Sequence, residues 1–261
     1  MPIILREVYA SYRGSRWVLN NISMNIDKNT VILGPNGSGK TTLFRVILGL
    51  SVKTRGEILI DGVDVDSIKG KPGLISTNLP SILMGFRVKT REIAKLYLDV
   101  MDGDYDYFNS LISEFGVTEI LDKKFHELST GSKVLFLNAL ALAGKSKYIL
   151  LDEPFESVDP ARRVILLKKI VESSSIMILN THLTWLLKYI PEWDSYIIVQ
   201  GRSAGPLSVS ELLESKISRE KTVDTIIELS IRDEKIYLTK NSGMPLSDLD
   251  SLDKLFEVII G

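Results

Sequence analysis

Residues 30–42 read Thr-Val-Ile-Leu-Gly-Pro-Asn-Gly-Ser-Gly-Lys-Thr-Thr, and LFRVILGL follows at 43–50. A short apolar run ends in Gly34. A glycine-rich turn comes next, and then a segment that is apolar on nearly every side up to Gly49. That order predicts a buried strand, a tight turn and a buried helix. Gly34–Thr41 fits G-x-x-x-x-G-K-[ST]. Gly34, Pro35, Asn36, Gly37, Ser38 and Gly39 would curl so that consecutive N–H groups point at phosphate oxygens. The helix that starts here adds its positive end. Lys40 would reach the β- and γ-phosphates, the Thr41 hydroxyl would serve Mg²⁺, and Thr42 lies in the same first turn. The expectation is a bound nucleotide.

Upstream, residues 3–9 alternate loosely and residues 18–26 (VLNNISMNI) more cleanly, as antiparallel strands with one wet face do. Downstream, GEILI at 56–60 and the turn Asp61-Gly62 suggest another strand. Residues 77–145 change character. Thr90 is expected to cap a helix over EIAKLYLDV, a second helix is expected over Tyr107–Phe115, and a third follows Gly131 with LFLNALALA as its apolar body. KYILL at 147–151 reads as a strand stopped by Asp152-Glu153-Pro154, Ala161–Glu172 as a helix, and SIMILN as a strand ending at Thr181-His182. At such a strand end both Asp152 and Glu153 can face the crevice where ligands of open α/β sheets bind. Asp152 suits Mg²⁺, and Glu153 suits polarising a water. Alternating strands and helices predict an α/β fold.

Beyond about Gly205, SELLESK reads as a helix, TIIELSI and KIYLTK as strands, SDLDSLDKLFE as a helix and VIIG as a last strand. The expected organisation is therefore residues 1–205 as a phosphate-loop NTPase core of mostly parallel sheet. That core carries an antiparallel β subdomain and a helical insertion at about 77–145. Residues 206–261 form a small α+β appendage.

Composition narrows the chemistry. The 261 residues include no cysteine, which excludes disulfides, thiolate metal sites and cysteine nucleophiles. Two histidines, His126 and His182, are too few for a histidine metal cage. The formal net charge of -1 gives no global field for nucleic acid, and none is expected as a partner. The longest strongly apolar stretch, Val134–Ala143, is far short of the ~18 residues of a membrane span. The expected place is the cytoplasm, and any membrane span would come from another chain.

Four further segments follow the phosphate loop in order: LSTGS at 128–132, the Asp-Glu strand end, ESVDP with Asp159, and His182 after SIMILNT. With SYRG around Tyr12, they make the chain resemble the ATP-binding subunits of ABC transporters over roughly residues 3–205. The resemblance implies two such domains packed head to tail, each ATP lying between the phosphate loop of one and the signature segment of the other. It implies that Ser129 and the N–H groups near Gly131 meet a γ-phosphate. Glu153 would be base or water-orienter, His182 would bridge to the γ-phosphate, Asp159 would belong to the linking loop, and Tyr12 would stack on adenine, with Tyr9 as competitor. His126 is read as structural. The implied cofactors are ATP and Mg²⁺. The implied partners are a second ATPase subunit, as homo- or heterodimer, and a separate transmembrane subunit that holds this chain on the inner face of the membrane.

Two departures stand out. The family's Gln near the metal falls at Thr77 or Asn78, and Asn78, the closer amide, is taken as the substitute metal-shell residue. Thr130 and Ser132 replace a Gly and a Gln of the signature. One altered charge-assisted contact is worth about 1.5–3 kcal/mol, which points to slowed rather than absent turnover. Ser129-x-Gly131-x-Lys133 and the appendage look most like the exporter-type group. The alternatives are a regulatory nucleotide-binding module paired with a more active sister, and a soluble non-transport ATPase of the same family.

Overall fold

The computed structural model describes residues 2–12, 16–50, 53–68, 71–82, 85–231 and 234–246. In chain order the elements begin with strands β1 (Ile3–Ser11), β2 (Leu19–Ile26) and β3 (Thr30–Leu33), then helix α1 (Lys40–Ile47). Next come β4 (Lys53–Ile60), β5 (Val63–Asp64), α2 (Val65–Ile68) and β6 (Ile75–Thr77). Three helices follow, α3 (Thr90–Met101), α4 (Tyr105–Glu114) and α5 (Thr130–Ala143). Then come β7 (Tyr148–Asp152), α6 (Pro160–Val171), β8 (Ile176–Thr181), β9 (Asp194–Val199) and β10 (Arg202–Ser208). Last are α7 (Val209–Glu214), β11 (Lys216–Ser218), β12 (Thr225–Ile231), β13 (Glu234–Thr239) and β14 (Met244–Pro245). The chain divides into two compact units, residues 1–69 with 180–261, and residues 70–179.

The first unit holds an antiparallel sheet in the order β2-β1-β4-β5. Ile3 pairs with Ile26 on one side and Ile60 on the other. The loose alternation of β1 has a local cause. Ile3 and Leu5 are buried, then Val8 and Ala10, so the buried phase shifts by one residue. The register slips at the same place, where Glu7 has φ 48°. This is a β-bulge, which re-aims a strand by one extra residue. Opposite it, a Cβ on Gly56 would lie 2.4 Å from the Glu7 carbonyl oxygen, so only glycine fits.

A second sheet of this unit runs β10-β9-β3, with β3 parallel to β9 (Thr30 opposite Asp194, Leu33 opposite Ile197) and β10 antiparallel at its edge. All four residues of β3 are buried, as a strand covered on both faces must be. The appendage is a four-stranded antiparallel sheet, β12-β13-β11-β14, preceded by α7. Ser208 caps α7, and its Oγ accepts from the Glu211 N–H at 3.2 Å while Glu211 takes the Ser208 N–H at 3.0 Å. The helix expected over SDLDSLDKLFE and the strand over VIIG lie outside the described residues.

In the second unit β6 and β7 pair in parallel, Ile75 opposite Tyr148, and β8 begins beside β7. Helix α5 is buried along nearly its whole second half, Leu135–Ala143, which its all-round apolarity demands. Phe136 on α5 meets Phe108 on α4 edge to face at 5.8 Å. Thr90 differs from expectation: it is the first residue of α3 rather than its cap. Its buried hydroxyl donates to the Ile120 carbonyl at 2.6 Å, and the Glu92 carboxylate turns back to the Lys89 N–H at 3.2 Å. A partner thirty residues away outcompetes local capping because the group is buried and must be satisfied.

Candidate functional site

Lys40, Thr41 and His182 belong to the first unit; Asn78, Asp152, Glu153, Ser129, Gly131 and Asp159 belong to the second.

In the first unit, the loop at 34–39 leaves β3 and opens α1. Gly34 donates its N–H to the Thr181 carbonyl at 3.3 Å, so the loop's first residue is tied to the end of β8, one residue before His182. A Cβ on Gly34 would lie 2.2 Å from the Ile198 carbonyl oxygen. Gly37 and Gly39 have φ 78° and 110°, a region that costs glycine little and other residues much. Gly39 occupies the helix N-cap and, having no side chain, supplies no side-chain cap. The Lys40 ammonium, buried within the turn, donates to the Gly34 and Pro35 carbonyls at 2.7 and 3.2 Å.

The Ser38 hydroxyl oxygen is buried and has no hydrogen-bond partner among the described residues. An orphaned hydroxyl is rare in a native protein and calls for a polar ligand. A cradle of backbone donors, a cation and such a hydroxyl fits a polyphosphate.

Tyr12 is 39% exposed, and its phenolic oxygen lies 3.3 Å from the Thr42 hydroxyl, so it flanks the loop. Tyr9 instead meets Trp17 edge to face at 5.7 Å. Trp17, 42% exposed, was not singled out in the sequence. Its isolated aromatic position just before β2 is the signal that could have found it.

The second unit gathers the strand end. The backbone of Asp152 is gripped by one side chain: the Asn78 Oδ1 accepts the Asp152 N–H at 2.7 Å, and the Asn78 Nδ2 donates to the Asp152 carbonyl at 3.1 Å. Asn78 also donates to the Asn138 Oδ1 at 2.9 Å, and Asn138 donates to the Pro154 carbonyl at 2.9 Å. The expected metal-shell role of Asn78 competes with this arrangement, because both amide hydrogens are used within the protein and the oxygen keeps one lone pair. Thr77, the alternative, accepts the Leu79 N–H on its hydroxyl at 3.2 Å. Beside it, burial pushes the Tyr97 hydroxyl up to about 12, against a backbone hydrogen bond at Thr77 that lowers it.

Ser129 is the N-cap of α5; its Oγ accepts the Ser132 N–H at 3.2 Å and donates to the Ser132 hydroxyl at 2.9 Å. A Cβ on Gly131 would meet the Ser157 carbonyl oxygen at 2.5 Å, so the helix start and the turn after β7 touch through a glycine. Asp159 caps α6. The Arg162 N–H at 3.1 Å, and then its guanidinium at 3.0 Å, hold the Asp159 carboxyl below the usual carboxylate range. Asn138 escaped notice in the sequence because it sits inside an apolar run.

Among the described residues, no group of three or more His, Asp or Glu side chains could hold a metal ion.

Comparisons with known proteins identify a family. The pattern of the family described as ABC transporter matches residues 19–156. The ABC transporter ATP-binding protein YtrB of Bacillus subtilis is 27% identical over 255 residues, covering 93% of this chain and 84% of the relative. The lipopolysaccharide export system ATP-binding protein LptB of Haemophilus influenzae is 34% identical over 172 residues, 61% of this chain and 70% of that one. A solved structure provisionally named a cobalt transport ATP-binding protein (cbiO-2) superposes with a TM-score of 0.87 at 37% identity, covering 98% of this chain and 99% of that one. With the family pattern spanning more than half its length around that glycine loop, the chain belongs to the ATP-binding subunits of ABC transporters.

Proposed function

We propose that this chain binds ATP with Mg²⁺ on the 34–42 loop, hydrolyses it, and pairs with a second ATPase subunit to drive a separate membrane-spanning subunit. The observation that carries the reading is the loop itself. Its glycines hold the curl, Lys40 lies within it, and the buried Ser38 hydroxyl lacks a protein partner among the described residues.

In this reading Lys40 holds the β- and γ-phosphates, Thr41 and Asp152 serve the metal, and Tyr12 stacks on the base. Glu153 takes or orients the proton of the attacking water, and His182 touches the γ-phosphate. Ser129 and Gly131 are offered to the partner's nucleotide, with Asp159 in the linking loop. Mg²⁺, when bound, neutralises charge on the phosphates as the terminal one departs. No described helix is long and apolar enough to cross a membrane, so the transport path is assigned to another chain. The Ser129-x-Gly131-x-Lys133 pattern and the export system named for one relative support an exporter-type partner.

Lys40→Ala tests the core of this reading. ATP affinity measured by equilibrium binding should fall at least ~100-fold, since a buried charge-assisted contact to phosphate is lost. Parent-like affinity would remove the loop from the site. The regulatory-module reading draws on one observation, that the Asn78 amide is largely used inside the protein. A parent chain that binds ATP tightly and releases no phosphate, alone or dimerised, would favour it.

A further inference from the structure

Two amides meet inside the second unit. Asn78 follows β6 and is 5% exposed; Asn138, mid-way along α5, is fully buried between Leu137 and Ala139. They stand 60 residues apart in sequence and 2.9 Å apart in space.

A buried amide left without partners costs about 1–3 kcal/mol, and a leucine would continue the apolar body of α5 at no such cost. Here both hydrogens of the Asn78 amide and one of the Asn138 amide are used. Asn138 donates to the Pro154 carbonyl and accepts from Asn78; Asn78 donates to the Asp152 carbonyl and accepts its N–H. The network therefore grips the backbone on both sides of one residue, Glu153.

Glu153 needs such a grip. Its φ of 42° lies in the left-handed region, which costs a non-glycine residue roughly 1–2 kcal/mol and persists only when the surroundings impose it. Helix α5 also presses the same turn at a second point, Gly131 against the Ser157 carbonyl. Ser157 is itself left-handed, with φ 57°. Packing alone would not explain an amide pair at the first point.

We propose that Asn78 and Asn138 form a buried amide clamp that fixes the backbone of Glu153 against α5. Both are positioning residues for hydrolysis, and Asn78 acts through Asp152 and Pro154 rather than through the metal shell. This rests on the ATPase reading for its kinetic consequence, though not for its structural one.

The test uses the full chain as Asn78→Leu, Asn138→Leu and the double variant. Without nucleotide, exchange of the Asp152 amide hydrogen followed by NMR should speed up about tenfold or more in each single variant, the loss of one net hydrogen bond. Phosphate release at saturating Mg²⁺ and ATP should fall about 10–100-fold, the effect of a reacting group misplaced by up to about 1 Å. ATP affinity and the Mg²⁺ concentration at half-activity should stay within ~3-fold of the parent, since the phosphate loop is untouched. The double variant should be no slower than the slower single, because one unit is broken once.

Parent-like turnover in Asn138→Leu, or parent-like Asp152 exchange in Asn78→Leu, overturns the clamp. So does a raised Mg²⁺ requirement in Asn78→Leu alone, which would return that residue to the metal shell. If Asn138→Leu does not fold, Asn138→Ser, which keeps one polar atom, takes its place in the same comparison. A parent that neither binds nor hydrolyses ATP sinks the ATPase reading instead, and the exchange measurement still decides the clamp.

Discussion

The loop at 34–39 and the turn at 152–158 both follow a buried strand, and both contain left-handed backbone, but they reach it by opposite means. The loop places glycine at its left-handed positions, Gly37 and Gly39. The turn places Glu153 and Ser157 there, neither of them glycine. The glycine loop fills its left-handed positions with a residue that adopts them at little cost. A turn of ordinary residues must be held from outside, and this one is held by Asn78, Asn138 and the close approach of Gly131. The loop therefore relies on its own composition, while the turn relies on side chains brought to it from as far back in the sequence as Asn78.

The contrast is broken most sharply at Glu153. Glu153→Gln keeps the side-chain shape and so leaves ATP binding intact, but the amide cannot take a proton. Phosphate release should fall ~100–10,000-fold, the range for loss of a general base. Turnover within twofold of the parent in a single-turnover assay would move that role to another residue.

Gly131→Ala tests support from outside. Its Cβ would sit 2.5 Å from a backbone oxygen that cannot step aside cheaply, so α5 and the turn must part. We expect a loss of about 1–3 kcal/mol in denaturant unfolding, with slower turnover and near-parental ATP affinity. A stable variant with parental turnover would show the two segments to be independent.

Gly37→Ala is the counterpart in the loop. At φ 78° with nothing within 4 Å of a Cβ, the penalty is conformational only, about 1 kcal/mol. Its effect should appear in ATP affinity and leave Asp152 amide exchange unchanged. A change in that exchange would show the two regions to be coupled.

The smallest effect belongs to Asp159. The Arg162 N–H and guanidinium lower its carboxyl, so its stabilising contribution is present above the ordinary carboxylate pKa and is lost as pH falls through the lowered value. Asp159→Asn remains a good N-cap. It should therefore flatten the acid side of the stability-pH curve slightly and leave neutral stability nearly unchanged. Thermal melts from pH 2 to 7 would decide.

Much of this was readable in the chain. The phosphate loop is legible because its demands are local: glycines where the backbone must turn, then a lysine and a threonine at the start of α1. The order of β3, α1, β7 and β8 is legible for a similar reason, since buried strands announce themselves as apolar runs. The strand β9 was missed. Its apolar stretch is only Ile197-Ile198-Val199, and its pairing with β3 makes it a strand. The bulge at Glu7 was visible only as imperfect alternation.

What the amino-acid sequence by itself determined is the class of ligand and the run of strands and helices, because periodicity and turn chemistry act between near neighbours. What only the tertiary structure decided is who satisfies whom. Thr90 looked like a cap and bonds Ile120; Asn138, unremarked inside an apolar run, bonds Asn78 and Pro154. A buried polar group takes whichever partner the fold brings within about 3 Å, and sequence distance has no bearing on that choice.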